Sequence, residues 1–442
     1  MPRFIRFPTR LLLLALVMLG GGFVSGCTTP PTEKTPSSHD PLRQWHTETP
    51  DGIPVIRVLL KEIQGQRNIR VSSSGPFRVE LLGRDDVARR FPANRTVTFV
   101  RQGPHVYVNG RRFPGGNGYA VIPAEQGTLL IGNQTYRGNL RIHRNQSSRG
   151  TPGQNGLQAV NHVPVNKYLW SVIGAEILPD WTGDAINRTQ AVAARTYAIA
   201  ELNRRSERAP GGRFDVYNTQ QSQVYRGVAT ERPATRRGVE ATKGQVLFYG
   251  DRKLVPAFFS STCGGHTSRP RPGFSWLTGP PPPPLQGVAC PWDNVSPHHR
   301  WTARIPARVL LRALFSGTGS SRVRDVTVQS RRDDGRARKL AFRLSGGTTA
   351  YRSGAEVRRA IADLRSELEN EARRDRWWIR STKFNVKKQS DHVFRFRGAG
   401  WGHGVGLCQY GAYGASVKGL PHEQILTHYY PTARLDRLYP TD

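Results

Sequence analysis

Acidic residues are scarce in this 442-residue chain, 32 against 65 basic ones, which leaves a net charge of +33. Only ten of the basic residues are lysine; the rest are arginine, spread along the chain and never gathered into one block. Such a surface draws polyanions, whether nucleic acid, anionic lipid or an acidic wall polymer, although scattered arginines also suit a plain solvated face. Cysteine is rarer still, with four residues at 27, 263, 290 and 408, too few for a disulfide scaffold. Long apolar runs are missing apart from Leu11 to Val24, which is short for a membrane span. No repeat at solenoid spacing occurs. A mainly disordered chain is excluded as well, since 37% of the residues are hydrophobic and 46 more are glycine.

The one apolar run follows Arg3, Arg6 and Arg10, the order of a signal peptide, and ends in Val24-Ser25-Gly26-Cys27. Small residues before a cysteine resemble a bacterial lipobox, so Cys27 is the expected lipidation site over residues 1–27; the alternative is an ordinary secretory signal with an incidental cysteine. Residues 28–50 are rich in Thr, Pro and Ser without apolar period and read as a tether. These features predict a lipoprotein anchored to a membrane and facing the periplasm or extracytoplasmic space. Export argues against nucleic acid as a partner.

Residues 51–155 read as a small β domain. Ile53 to Leu60, Asn68 to Val71, Phe77 to Leu81 and Leu140 to His143 alternate in part, punctuated by Gly75-Pro76 and Asn109-Gly110. From residue 156 to 442 the pattern is mixed, giving an α+β chain overall. Val163 to Ile177 has helical spacing and stops before Pro179, and an alanine-rich helix is predicted from about Asp184 to Arg204. Gln190 and Tyr197, seven apart, share a face of that helix. Glu176 ends the first helix beside a short turn, where an acid can face a cleft or simply be solvated. Between Trp301 and Asn385, segments 309–314 and 356–371 look helical and 323–330 and 340–344 look like strands.

Several blocks in order carry a family resemblance. Val163-Pro-Val-Asn-Lys-Tyr168, Gly174-Ala-Glu-Ile177, Gln190-Ala-Val-Ala-Ala-Arg-Thr-Tyr-Ala198 and Phe258-Phe-Ser-Ser-Thr-Cys-Gly-Gly-His-Thr267 come first. Ile379-Arg-Ser-Thr-Lys-Phe384, Gly400-Trp-Gly-His-Gly-Val-Gly-Leu-Cys-Gln-Tyr-Gly-Ala412 and Ile425-Leu-Thr-His-Tyr-Tyr-Pro431 follow. Together they resemble the stage II sporulation protein D (SpoIID/LytB) family. The resemblance implies a lytic transglycosylase acting on peptidoglycan glycan strands; some relatives are instead described as amidase enhancers, with a cell-wall amidase as partner.

It implies Glu176 as the catalytic acid, with Gln190, Arg195, Tyr197, His403 and Gln409 as substrate-binding residues. One carboxyl would protonate the leaving oxygen and then deprotonate the muramic 6-hydroxyl, unlike the two-carboxylate glycosidases. That task needs a raised pKa, normally from burial against aromatic walls, for which Trp170, Trp181 and Tyr197 are candidates. Cys408 stands where relatives usually carry a small hydroxyl residue.

Three further patterns in the sequence bear on chemistry. Gly402-His403-Gly404 exposes a histidine in a glycine-rich turn but lacks dinucleotide spacing, and a Cys408–His403 nucleophilic pair has no evident orienting acid. His422-Glu423 begins like a zinc-protease helix, but Leu426 occupies the place of the second histidine. Cys263, His266, Cys290 and His298 have donor types that suit tetrahedral zinc, which the resemblance also associates with the cleft. The rivals are a Cys263–Cys290 disulfide and free thiols. A zinc hydrolase using this cluster is the third reading of function, after transglycosylase and enhancer.

Overall fold

Strand Leu157–Pro164 lies inside the seven-stranded sheet, third from one edge, and all of it but Pro164 is buried. Its sequence shows no alternation because both faces are covered. It pairs antiparallel with Val55–Leu59 on one side and Asn139–Arg144 on the other. Outward from these lie the two-residue strand Val216–Tyr217 at one edge and Gly118–Pro123, Phe77–Leu81 and Arg84–Phe91 at the other. A second, six-stranded sheet is built from Asn68–Ser73, Val97–Gln102 and their neighbours. Its hairpin at Asn109-Gly110 has φ of 48° and 77°, the left-handed pair a tight turn with the twist of its strands requires.

The computed structural model describes residues 49–82, 84–112, 118–124, 126–145, 156–209, 211–367 and 377–439. The expected leader, Cys27 and nearly all of the tether lie outside these. The chain is α+β, as expected, with strands in several sheets. The division expected between residues 155 and 156, however, runs through one sheet, since 157–164 is bonded to strands from the N-terminal part. A fully buried strand gives no amphipathic signal, and this one was hidden for that reason.

Helix α1 (Val165–Glu176) follows strand Leu157–Pro164 directly and α2 (Asp184–Arg208) packs against α1. Ala191, Ala193, Ala194 and Ala198 of α2 are wholly buried, and α3 (Pro233–Ala241) crosses α2 where Gly238 meets Asn187. A separate core organises residues 300–399. Two three-stranded sheets and helices α4 (Ala307–Phe315) and α5 (Gly354–Glu367) enclose Phe342, Phe394, Phe396 and Trp377. A short parallel pair, Phe259–Ser260 with Leu407–Cys408, then joins segments far apart in sequence and leads into α6 (Gln409–Val417) and α7 (His422–Tyr429). Among the described residues no helix is long and apolar enough to cross a membrane.

Candidate active site and thiol cluster

Glu176 is the last residue of α1. The helix end is held from two sides: the Arg232 guanidinium donates to the carbonyls of Gly174 (2.9 Å) and Ile177 (3.0 Å), and Gln409 Nε2 donates to the Glu176 carbonyl (3.2 Å). Gly174 is required here, because a Cβ would fall 1.7 Å from the Thr230 carbonyl oxygen. The Glu176 side chain reaches a cleft of about 730 Å³. Its Oε1 accepts from the Val224 backbone N–H at 2.8 Å, which leaves Oε2 for a ligand. Burial pushes its pKa up to about 7, and the Val224 hydrogen bond opposes this only in part. The negative end of the α1 dipole acts in the same direction as burial.

Trp181 and Tyr197 wall this cleft; Trp181 stacks on Tyr413 with centroids 4.5 Å apart and planes 4° from parallel. Trp170 does not: its indole donates to Glu240 (2.9 Å) and lies beneath the guanidinium groups of Arg137 and Arg236. His403 and Gln409 are in the lining. Burial, reinforced by Arg336, lowers the His403 pKa to about 4, so the ring is neutral at ordinary pH, with Nδ1 accepting from Val405 N–H (3.0 Å).

Gln190 and Arg195, expected in the binding set, lie outside the cleft lining. Both are fully buried within the packing of α2. Arg195 braces it, donating to the carbonyls of Val239 (3.0 Å) and Gln245 (3.2 Å). Gln190 shares a face with Tyr197 but lies about 10 Å further along the axis, too far to reach the same cleft. His298 also departs from expectation. It lines the cleft with its ring edge-on to Trp401 (4.5 Å), and burial lowers its pKa. Among the described lining residues Glu176 is the only carboxyl and Arg358, from α5, the only permanent cation. Arg358 Nε donates to the Arg380 carbonyl (3.1 Å), and no described carboxylate pairs with it.

Cys263 and Cys290 do come together, as free thiols without a disulfide. Their companions are Asp293 and Cys408, not His266 and His298; all four donor atoms lie within 4.8 Å of one another and all four residues are buried. His266 turns away to the Thr267 carbonyl (2.7 Å) because residue 266 pairs as a strand with Ala289. Burial and the two neighbouring thiols raise the pKa of Cys408, and donation from Cys263 and Cys408 lowers that of Cys290 to about 3. Three thiols and a carboxyl are donors that zinc accepts. The signal missed in the sequence was Cys290-Pro-Trp-Asp293, two donors at knuckle spacing.

With this geometry in hand, comparison with known proteins is informative. Residues 153–249 match the family model described as Stage II sporulation protein (SpoIID), and the chain carries a domain of that family. Residues 292–406, which supply His298, Arg358, Trp401 and His403, match a model described only as a domain of unknown function (DUF8618). Stage II sporulation protein D of Bacillus subtilis is 27% identical over 62% of this chain and 74% of its own length. An amidase enhancer of Bacillus subtilis is 25% identical over 60% of this chain and 40% of its own length. An uncharacterized protein of Brachyspira hyodysenteriae is 26% identical over 85% of this chain and 91% of its own.

Proposed function

We propose that this chain is an exported lytic transglycosylase that cuts bacterial cell-wall glycan to 1,6-anhydromuramic ends with Glu176 as its single proton-transferring carboxyl. One observation carries the reading: among the described residues the cleft offers one acid, with a pKa raised to about 7. A hydrolase of the usual kind needs two carboxyls about 5–9.5 Å apart. A lone carboxyl serves a reaction that needs no external water.

Glu176, protonated, gives its proton to the glycosidic oxygen as the bond from that oxygen to the muramic C1 breaks. The 6-hydroxyl oxygen of the same sugar then bonds to C1, and its proton returns to Glu176. Nothing is consumed and the acid is regenerated. Val224 N–H fixes Oε1 throughout, while Trp181 and Tyr197, both nearly fully buried in the cleft wall, keep the carboxyl dry. Arg358, a cation without a described counterion, suits the lactyl carboxylate that muramic acid exposes once its peptide is removed. Glycan stripped of peptide is therefore the proposed substrate. A soft cation at the thiol cluster would supply structural cross-linking, and no step of the cleavage uses it.

Glu176→Gln keeps size and cannot exchange a proton. It should lose about 10²–10⁴-fold or more in release of anhydro-ended fragments, while sedimentation with purified glycan is retained. Wild-type rates in this variant would overturn the assignment. The second reading, a non-catalytic enhancer of a cell-wall amidase, is favoured by the amidase-enhancer match; it predicts glycan binding with no fragments from either protein. The proposed location is the extracytoplasmic face of a membrane, with lipid on Cys27, and Cys27→Ser should release the protein from membrane fractions.

A further inference from the structure

The geometry points to a buried four-coordinate site for one soft divalent metal ion, formed by Cys263, Cys290, Cys408 and Asp293 beneath the cleft floor. It is independent of the cleavage chemistry and stands whether the protein cuts glycan or only binds it. The four donor atoms come from three separate stretches of chain, yet lie within 4.8 Å of one another. A tetrahedron around zinc, with zinc–sulfur bonds of about 2.3 Å, has edges of about 3.7 Å, so small side-chain shifts close the site.

The surroundings are those of metal ligands and serve bare thiols poorly. Cys408 Sγ accepts from the backbone N–H groups of Cys263 (3.2 Å) and Gly411 (3.4 Å), bonds that gain most when the sulfur is a thiolate. Tyr429 Oη lies 3.0 Å from Cys290 Sγ. Asp293 Oδ2 accepts from Gly264 N–H (2.6 Å) and Gly265 N–H (3.2 Å), and its Oδ1 meets His299 Nδ1 at 2.9 Å. Such outer contacts orient ligating groups. Lys383, bonded to the Gly264 carbonyl (3.0 Å), and buried Arg336 add positive potential at Cys263. The backbone is also shaped to the sulfurs: a Cβ at Gly411 would sit 2.5 Å from Cys290 Sγ. A Cys263–Cys290 disulfide would use two of these sulfurs and leave the four-donor cluster without a role.

The ion would tie together the strand running through Ser260 and Ser261, the 290–293 segment and the start of α6. The first and the last bear on the cleft, since Ser260, Ser261 and Gln409 line it and Gln409 holds the Glu176 carbonyl. The site therefore acts as a staple under the glycan-facing wall.

The test is metal content of the full chain, purified in reductant without an immobilised-metal step. One zinc per chain is expected, released when a mercurial titrates the three thiols. Cobalt exchanged for zinc should give thiolate charge-transfer and tetrahedral visible bands. Cys408→Ser and Asp293→Asn should lose most of the metal, whereas His266→Ala and His298→Ala should keep it. Stripping the wild type should lower its melting midpoint by roughly 5 °C or more. Because stripping needs no mutation, the test survives variants that fail to fold. Reduced wild type that takes up neither zinc nor cobalt, a Cys263–Cys290 disulfide in the native protein, or metal lost with His266 and kept without Cys408 would overturn the site.

Discussion

Glu176 shows how a single side chain is tuned by opposing effects. Burial raises its pKa to about 7, and the one hydrogen bond from Val224 recovers only part of the ionised form. An acid that must be protonated to begin the reaction gives a kcat/KM that is flat below pH about 7 and falls roughly tenfold per unit above it; a pH profile of anhydro-end release checks this. The same shift has a cost in stability. A carboxyl whose folded pKa exceeds its unfolded value stabilises the protein below the unfolded value and loses that contribution as pH rises through about 7. Glu176→Gln should accordingly be more stable than wild type at pH 8, by about 3 kcal/mol, and little different at pH 4; denaturant melts at both pH values measure it. The sequence blocks mark Glu176 as a position in the chain, and the fold carries that position to the cleft. Gln190 and Arg195 lie in an equally recognisable block yet are buried in the packing of α2. Membership of a block does not say which face of a helix meets the cleft. Asp293 escaped for a related reason: an aspartate among surface-like residues looks solvated until the fold buries it.

At the scale of elements, the cleft depends on how closely α1 approaches its neighbours. Gly174 lies against the carbonyl of Thr230, where any side chain would collide with backbone. Gly174→Ala must push the end of α1 outward, carrying Glu176 from the Val224 N–H and the Gln409 amide. Overpacking of this kind costs about 1–3 kcal/mol, and displacement of the acid should cost at least about tenfold in rate; thermal melts and fragment release would separate the two effects. Helix α5 contributes differently, by presenting Arg358. Arg358→Gln should raise KM for peptide-free glycan by about 10–100-fold, the worth of a hydrogen bond to a charged group, with kcat much less affected. Steady-state kinetics on peptide-free and peptide-bearing strands would show the preference narrowing. Most elements were legible because their periodicity survives at a solvent boundary, as in Phe77–Leu81 and α4. Strand Leu157–Pro164 was not, since it is covered on both sides.

The whole molecule is a strongly basic body whose cleft is assembled from four parts of the chain. The SpoIID domain supplies the acid with Trp181 and Tyr197, residues 258–275 add Phe258, Phe259 and Phe274, the 292–406 segment adds His298, Arg358, Trp401 and His403, and Gln409 and Tyr410 complete the lining. The arginine excess was visible in composition; the emptiness of the cleft, among the described residues, in acids other than Glu176 was not, because it depends on which of the 32 acidic residues the fold brings near. That emptiness is the centre of the account, and isotope labelling tests it most directly. Peptide-free glycan digested by the wild type in water enriched in ¹⁸O should yield 1,6-anhydromuramic ends that contain no label by mass spectrometry, since the attacking oxygen belongs to the sugar. Reducing ends carrying one ¹⁸O would mean that water attacks, that a second catalytic group exists, and that the single-carboxyl account is wrong.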